Sequence, residues 1–188
     1  MKILLVVIGI LLLVSLMFAG KFVSVRNELA VQNEAIAAAW SQVDVALQRR
    51  ADLIPNLVST VKGFATHEQQ VIDSVTAARA ALGGARSPQE KIAANNQLDG
   101  AISRLLVISE NYPNLKSNEN FMRLQDELAG TENRIAVERR KYNEVVQRYN
   151  TQIALFPNNL IASMSGFQRN DAYFKTDPGS RVAPKVAF

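Results

Sequence analysis

The N-terminal apolar segment constrains this chain more than any other feature. Residues 3–19 are 17 consecutive residues without a charge, and the apolar character continues past Lys21 to Val25. As an α-helix the segment is about 25 Å long, or about 34 Å when it extends to Val25. The hydrocarbon core of a bilayer is about 30 Å thick. We therefore predict that residues 1–25 form a retained, single-pass transmembrane anchor.

Two other uses of an apolar N-terminus fit the sequence less well. A cleaved signal peptide requires small residues before the cleavage site, and Met17 stands where one of them belongs. A lipoprotein anchor requires a cysteine, and the chain has none. The predicted location is the cell (inner) membrane. Lys2 lies on one side of the segment and Lys21 and Arg26 lie on the other, so the charges do not determine its orientation.

The residues after the anchor have the apolar periodicity of amphipathic helices. In residues 39–68 the apolar side chains that recur at helical spacing are Trp40, Val43, Leu47, Ile54, Leu57, Val61 and Phe64. Pro55 interrupts this pattern, because proline removes a backbone donor and clashes with the preceding turn. We predict that the helix kinks or restarts near residues 52–55, with Asp52 capping the new start.

Start and stop signals divide the rest of the chain into further helices. The second predicted segment runs from residue 55 to about 82, where a Gly-Gly pair ends it. Ser87, followed by proline and then by Glu90, has the signature of a capping box and opens a helix to about residue 111. The longest predicted helix covers residues 118–155. No segment alternates with period two, as a strand would.

These patterns predict an all-α fold. Residues 1–25 are the transmembrane helix, residues 26–156 an elongated antiparallel bundle of three to four long helices, and residues 157–188 a partly ordered C-terminal tail. The tail loses helical periodicity after about Ala162 but keeps apolar and aromatic residues, Phe167 among them. It is therefore too apolar to be a pure linker.

Three blocks of the sequence closely resemble the signature of LemA family proteins. The first contains Ala-Trp at residues 39–40 and Arg-Arg-Ala-Asp-Leu-Ile-Pro-Asn-Leu-Val at 49–58. The second begins with Tyr-Pro-Asn-Leu-Lys at 112–116, and the third has Phe-Pro at 156–157 and Gly-Phe at 166–167. Arg26 departs from the pattern, since the family commonly has tyrosine there. The resemblance covers residues 26–175 and implies a membrane-anchored helical bundle. It implies no reaction and no catalytic residues.

Composition excludes several kinds of site. Without cysteine the chain has no disulfide or thiolate metal site, and a single histidine excludes zinc sites built on several imidazoles. The net charge of +4 and the pI of about 9.5 suit an anionic membrane surface. No cluster of Lys and Arg interleaved with aromatic residues indicates nucleic-acid binding. We predict no cofactor, no metal and no nucleic-acid partner.

A general base beside a carboxylate occurs only at His67-Glu68. The pair lacks the second histidine, four residues on, that a zinc-protease helix requires. The sequence also contains no Gly-x-Ser-x-Gly motif, phosphate-binding loop or dinucleotide fingerprint. We predict no catalytic residue. The alternative from the enzyme class is an uncharacterised hydrolase that uses His67, Glu68 or the carboxylates Asp44 and Asp52.

Six residues are candidates for interaction, namely Trp40, Arg49, Arg50, Tyr142, Tyr149 and Phe167. For the two arginines we predict ion pairs on the helix surface, with a neighbouring helix or a lipid phosphate as alternative partners. Trp40 lies more than about 20 Å beyond the extended apolar segment at helical rise, which favours a place in the core over one at the bilayer surface.

The two candidate tyrosines are seven residues apart, and so are Asn143 and Asn150 next to them. One interpretation is that the tyrosines are buried with their hydroxyl groups hydrogen-bonded. The other is a self-association seam in which the asparagines set the register.

The predicted function is that of a non-enzymatic, membrane-anchored scaffold or adaptor. It rests on one anchor, long amphipathic helices, a mild positive charge and no catalytic motif. The expected partners are membrane lipid, further copies of the chain in a homo-oligomer, and a membrane protein. Besides the hydrolase, the alternative is a pore or membrane-remodelling assembly in which the aromatic tail lies on the bilayer.

Overall fold

A computed structural model describes residues 2–65 and 67–175 of the chain. In this part of the chain the regular structure is helical and no strand occurs, so the all-α prediction is confirmed. The helices are α1 (Lys2–Lys62), α2 (Gln69–Gly84), α3 (Pro88–Ser109), α4 (Pro113–Lys116), α5 (Glu119–Ala154) and α6 (Asn158–Met164). Residues 176–188 of the predicted tail lie outside the described residues.

The helices belong to two compact units. The first contains the described residues up to Ala39 together with Glu144–Asp171. The second contains Trp40–Asn143 together with the described residues from Ala172 onward. Helices α1 and α5 each contribute to both units, because their residue ranges include both boundaries.

The first unit has a small core built from three helices. The buried apolar side chains of this unit are Val25, Leu29 and Ile36 on α1, Val146 and Tyr149 on α5, and Ile161 and Ala162 on α6. On α1 these residues are four and seven apart, so they share one face of the helix. Residues 2–21 of the same helix are exposed.

The second unit has the larger core. Its largest fully buried side chains include Leu47, Ile54 and Leu57 on α1, Ile72 on α2, Leu98 and Leu105 on α3, Leu115 on α4, and Phe121, Ile135 and Tyr142 on α5. Most of these residues recur at three-, four- or seven-residue intervals along their helices, as the sequence pattern predicts. Phe64 is the exception within the predicted stripe, since it is 41% exposed in the turn after α1.

Helix α1 continues through Pro55, so the predicted restart near residues 52–55 is wrong. Proline at position 55 leaves the carbonyl of residue 51 without its usual donor four residues later. In the structure Arg79 of α2 supplies that donor, because its Nε donates a hydrogen bond of 2.9 Å to the Ala51 carbonyl oxygen. Asp52 caps no helix and instead accepts a hydrogen bond of 2.8 Å from Gln48 Nε2.

The helix ends about two turns later than predicted. Helix α1 ends at Lys62, a turn follows, and α2 begins at Gln69. The backbone N–H groups of Phe64 and Ala65 both donate to the Val61 carbonyl, which closes the last turn of α1. The predicted segment from residue 55 to 82 is therefore the end of one helix and most of the next.

The other predicted boundaries agree with the structure. Ser87 Oγ accepts from the Glu90 backbone N–H, and the Glu90 carboxylate accepts from the N–H groups of Ser87 and Arg86, so the capping box is present. These backbone hydrogen bonds lower the pKa of Glu90. Helix α5 begins and ends within one residue of the predicted bounds, 118 and 155.

Candidate functional site

The N-terminal part of α1 is the most exposed apolar surface in the described chain. Between Ile3 and Phe18 the large apolar side chains are 45–82% exposed. Helix α1 is long and apolar enough to cross a membrane, and none of its apolar window is buried by the rest of the described chain. A core helix of a water-soluble protein would be covered, so this surface is suited to contact with lipid.

An aromatic cluster of Trp40, Tyr142 and Phe174 lies in the second unit. The Trp40 and Tyr142 ring centroids are 5.3 Å apart in an edge-on arrangement, and the Phe174 ring stacks on Trp40 at 6.0 Å. The Arg139 guanidinium carbon lies 4.9 Å from the centroid of the Phe174 ring. Trp40 is half-buried and Tyr142 fully buried, so the predicted core position of Trp40 agrees with the structure.

Asn143, which follows Tyr142 in the chain, binds the backbone of Phe174, the third residue of this cluster. Asn143 Nδ2 donates to the Phe174 carbonyl at 2.8 Å, and Asn143 Oδ1 accepts from the Phe174 N–H at 3.0 Å. One side-chain amide thus satisfies both backbone groups of a residue that belongs to no helix or strand. Phe174 itself is a site residue that the sequence pattern did not identify.

The same arrangement recurs within the first unit. Asn150 Nδ2 donates to the Asn170 carbonyl at 2.7 Å and its Oδ1 accepts from the Asn170 N–H at 2.9 Å. The Tyr149 hydroxyl donates to the Gln168 carbonyl at 2.9 Å, and burial raises the pKa of this tyrosine. Tyr149 therefore fits the interpretation of a buried tyrosine with a hydrogen-bonded hydroxyl group.

These contacts exclude one form of the predicted self-association seam. Tyr142 and Tyr149 are 0% and 2% exposed, and both asparagines hold backbone groups of the chain's own C-terminal segment. A second copy could not reach these side chains without displacing that segment. Self-association itself stays a prediction.

Phe167 takes part in the end of α6. Gly166 has a φ of 77°, and the Phe167 N–H donates to the Ala162 carbonyl at 3.0 Å. A residue in the left-handed region followed by this backward hydrogen bond is a common way to end a helix. The Gly-Phe pair of the sequence pattern thus marks a helix terminus, and a binding role for Phe167 stays a prediction.

Arg49 and Arg50 have different environments. Arg49 is exposed and forms no ion pair with a described residue, whereas Arg50 is 6% exposed. Arg50 Nη1 contacts Asp99 of α3 and lies 2.5 Å from Glu132 Oε2 of α5. The prediction of a surface ion pair is therefore wrong for Arg50, because its partners come from two neighbouring helices that enclose it.

Arg50 belongs to a partly buried charged cluster that also contains Asn95, Asp99, Glu132 and Arg139. The Arg139 Nη2 atom lies 3.5 Å from Asp99 Oδ2, to which Asn95 Nδ2 donates at 3.0 Å. Burial raises the pKa of Asp99 and Glu132 raises it further, while the two arginines act in the opposite direction. With two cations and two carboxylates the cluster is neutral in sum, so the buried guanidinium of Arg50 does not remain uncompensated.

The residues of the hydrolase alternative are not brought together. Asp44 pairs with Lys91 of α3, Asp52 faces solvent, and Glu68 accepts a hydrogen bond of 2.9 Å from the Tyr112 hydroxyl. His67 is exposed in the turn between α1 and α2. Asp44 lies 18 residues before the end of α1, or about 27 Å along the helix axis from that turn.

The Glu68 carboxylate instead has a structural partner, because its hydrogen bond with the Tyr112 hydroxyl raises the pKa of that tyrosine.

The pocket next to Asp44 is small. It has a volume of about 140 Å³ and is lined by α1, α2 and α3 residues that include Asp44, Arg79 and Lys91. Sites for small organic ligands usually have volumes of about 300–1,000 Å³. The described residues contain no group of three His, Asp or Glu side chains that could hold a metal ion.

The sequence pattern did not identify the charged cluster, although two of its residues show a signal in the sequence. Asn95 and Asp99 are four residues apart on the face of α3 that also carries Leu98 and Ile102. Polar residues on an apolar face usually have a buried partner. That signal indicates a buried polar cluster in the second unit, although it does not identify Arg50 as the partner.

Comparison with known proteins gives a consistent set of relatives. The sequence model described as LemA family matches residues 39–188. Magnetosome protein MamQ 2 of Paramagnetospirillum magneticum is 26% identical over 200 residues, which cover 93% of this chain and 72% of that protein. Protein LemA of Metamycoplasma hominis is 26% identical over 165 residues, which cover 86% of this chain and 74% of that protein. None of these names is that of an enzyme.

Proposed function

The chain belongs to the LemA family, and from this premise we propose that it is a non-enzymatic helical scaffold or adaptor anchored in the cell membrane by α1. The observation that carries the proposal is that the two parts of α1 have different surroundings. Its first part exposes apolar side chains to the surroundings, and its later part supplies buried residues to both units. One helix thus joins a lipid-suited segment to a packed body without a linker.

The body has the features of a protein that binds other proteins. Arg50, at the centre of the charged cluster, is 6% exposed, and the pocket next to Asp44 has a volume of only about 140 Å³. The described helices also present long exposed faces, to which a second copy or a membrane protein could bind. Membrane lipid, further copies and a membrane-protein partner are the partners that we propose.

Alkaline carbonate extraction of cell membranes tests the anchor. Replacing Leu11 and Leu12 by arginine places two charges in the apolar segment, which costs about 2.5–3.5 kcal/mol for each charge at the bilayer centre. We expect this variant to move to the soluble fraction. Val31→Arg is the matched control, because Val31 is 70% exposed on the same helix but lies beyond the apolar segment. Equal retention of both variants would argue against a membrane-spanning α1.

The mass of the full-length protein in native nanodiscs after chemical crosslinking tests the scaffold. A defined species larger than the monomer, made of this chain alone or of this chain with a second membrane protein, is the expected result. A strictly monomeric protein with nothing crosslinked to it would contradict the proposal, even if the anchor is confirmed.

A further inference from the structure

The end of α5 and the short helix α6 form a corner, residues 155–164, that exposes apolar side chains. Phe156 is 79% exposed, Met164 73%, Leu160 56% and Leu155 53%. The opposite face of α6 is buried through Ile161 and Ala162, so the corner is held in place by its own unit. Four large apolar side chains within ten residues form a surface that normally has a partner.

The corner lies inside a long uncharged segment. From Tyr149 to Gln168 no residue is Asp, Glu, Lys or Arg, although 20% of the whole chain is charged. Exposed helix ends in water usually carry charged residues. The first charges on either side of this segment are Arg148 and Arg169. An apolar surface of this kind can be buried at the boundary between headgroups and acyl chains, where buried apolar area contributes to binding.

The topology of the first unit places the corner beside the start of the buried face of α1. Helix α1 contacts α5 through Trp40 and Tyr142 and, ten residues later on α1, through Arg50 and Glu132, which lies ten residues earlier on α5. The two helices therefore run in opposite directions, and both continue into the first unit, which contains α1 up to Ala39 and α5 from Glu144. Val25 lies 14 residues from Ala39, or about 21 Å along the axis, and Leu155 lies 11 residues from Glu144, or about 16 Å. Val25 and Leu29 are only 2% and 1% exposed, and residues 144–171 are the rest of the unit that covers them.

That level along α1 corresponds to the bilayer surface. About 20 helical residues cross the hydrocarbon core, so a helix that enters at Ile3 leaves it near Phe22. Val25 is then about 4.5 Å beyond the hydrocarbon, within a headgroup layer that adds about 5–7 Å on each side. Leu155 lies about 5 Å nearer than Val25 to the boundary of the unit, or about 9 Å beyond the hydrocarbon, which places the corner at the outer edge of the headgroup layer.

We propose that the α5–α6 corner inserts Phe156, Leu160 and Met164 into the headgroup region of the bilayer that α1 spans. This inference rests on the proposed membrane-spanning role of α1. The protein then contacts the membrane at two places, with the first unit seated against its surface. The occupant of the exposed apolar face is lipid, because that face is uncharged and lies at the level of the bilayer surface.

The chain contains no cysteine, so single cysteines introduce unique labelling sites. Leu160→Cys, Met164→Cys, Leu12→Cys and Val107→Cys variants of the full-length protein are labelled with an environment-sensitive fluorophore. They are then placed in nanodiscs of phosphatidylcholine and phosphatidylglycerol, with or without spin-labelled lipid as quencher. Val107 is the matched control, since it is 71% exposed on α3 in the other unit. Emission from Trp40 checks that each variant is folded.

We expect spin-labelled lipid to reduce the fluorescence of the labels at positions 12, 160 and 164 by about twofold or more, because these labels lie in the hydrocarbon or among the headgroups. The fluorescence of the label at position 107 should not change. Quenching at position 12 without quenching at 160 and 164 would overturn the insertion of the corner while leaving the anchor intact. Absence of quenching at position 12 would overturn the membrane-spanning α1 and the inference together. A blue-shifted but unquenched label at 160 would also overturn the inference, because it would indicate a protein partner at the corner.

Discussion

Two adjacent arginines differ because one points into the core and the other into solvent. Replacing Arg50 by alanine leaves Asp99 and Glu132 without their shared cation. Because both carboxylates are partly exposed, we expect a loss below the roughly 3–5 kcal/mol that breaking a fully buried ion pair costs, but well above about 0.5 kcal/mol. Arg49→Ala is the matched control, and we expect it to change the free energy of unfolding by less than about 0.5 kcal/mol. Urea unfolding of the full-length protein in detergent, followed by Trp40 emission, measures both. Equal losses would contradict a special role for Arg50.

The raised pKa of Asp99 predicts a pH dependence of stability. Between its ordinary value of 3.8 and its raised value, the folded state binds more protons than the unfolded state. Stability due to this group is therefore full below the ordinary pKa and decreases as the pH rises through the raised pKa. Asp99→Asn removes the titration. We expect the unfolding free energy of the natural protein, relative to this variant, to fall as the pH rises through the window.

A series of urea unfolding curves for both proteins across that pH range tests the sign. A difference that is constant, or that grows with rising pH, would show that the arginines and not burial control this carboxyl group.

Residue environments were predictable only where they follow from helix periodicity. The half-buried position of Trp40 beside the core follows from its spacing to Val43 and Leu47. The burial of Arg50 does not, since an arginine next to another arginine on a helix has the same local pattern whether it meets water or Asp99. Its partners are 49 and 82 residues away along the chain, and no local rule selects them.

The passage of α1 through Pro55 depends on an element that lies elsewhere in the chain. Arg79→Met removes the donor to the buried Ala51 carbonyl, and an unsatisfied buried acceptor costs about 1–3 kcal/mol. In a Pro55→Ala background the backbone N–H of residue 55 can serve that carbonyl, so we expect Arg79→Met to cost less there. A double-mutant cycle of unfolding free energies measures this coupling.

Arg86→Met is the control for the cycle, because Arg86 is exposed and joins the capping box only through its backbone N–H. If Arg79→Met costs the same with and without Pro55, the hydrogen bond to Ala51 does not explain the continuous helix.

Elements whose signals are local were predicted well. The capping box at Ser87 and Glu90 acts within four residues, and the sequence located the start of α3 correctly. The continuation of α1 through Pro55 could not be predicted locally, because the donor to the Ala51 carbonyl is Arg79 on the next helix. The docking of Phe174 on Asn143 was missed for a similar reason, since an extended segment has no periodicity that indicates its partner.

At the scale of the whole molecule, the exposed part of α1 should be dispensable for folding. Residues 2–21 are exposed, whereas Val25 and Leu29 are buried. A chain that begins at Lys21 should therefore unfold at the same urea concentration as the full-length protein. A chain that begins at Ala30 should be less stable, with about 1.5–3 kcal/mol lost for each buried side chain removed. Equal stability of the two truncated chains would contradict the core of the first unit.

Because α1 is unbroken, the directions in which its N-terminal side chains project are fixed relative to those of its buried residues. Phe18 and Leu11 lie seven and fourteen residues before Val25, and seven residues complete two turns to within about 20°. Both side chains therefore project from α1 in nearly the same direction as buried Val25. Inserting one residue near Gly20 would turn the exposed N-terminal part of α1 by about 100° relative to Val25. In the proposed membrane-spanning arrangement, the packing of Val25 therefore determines which side of α1 faces a neighbouring transmembrane helix.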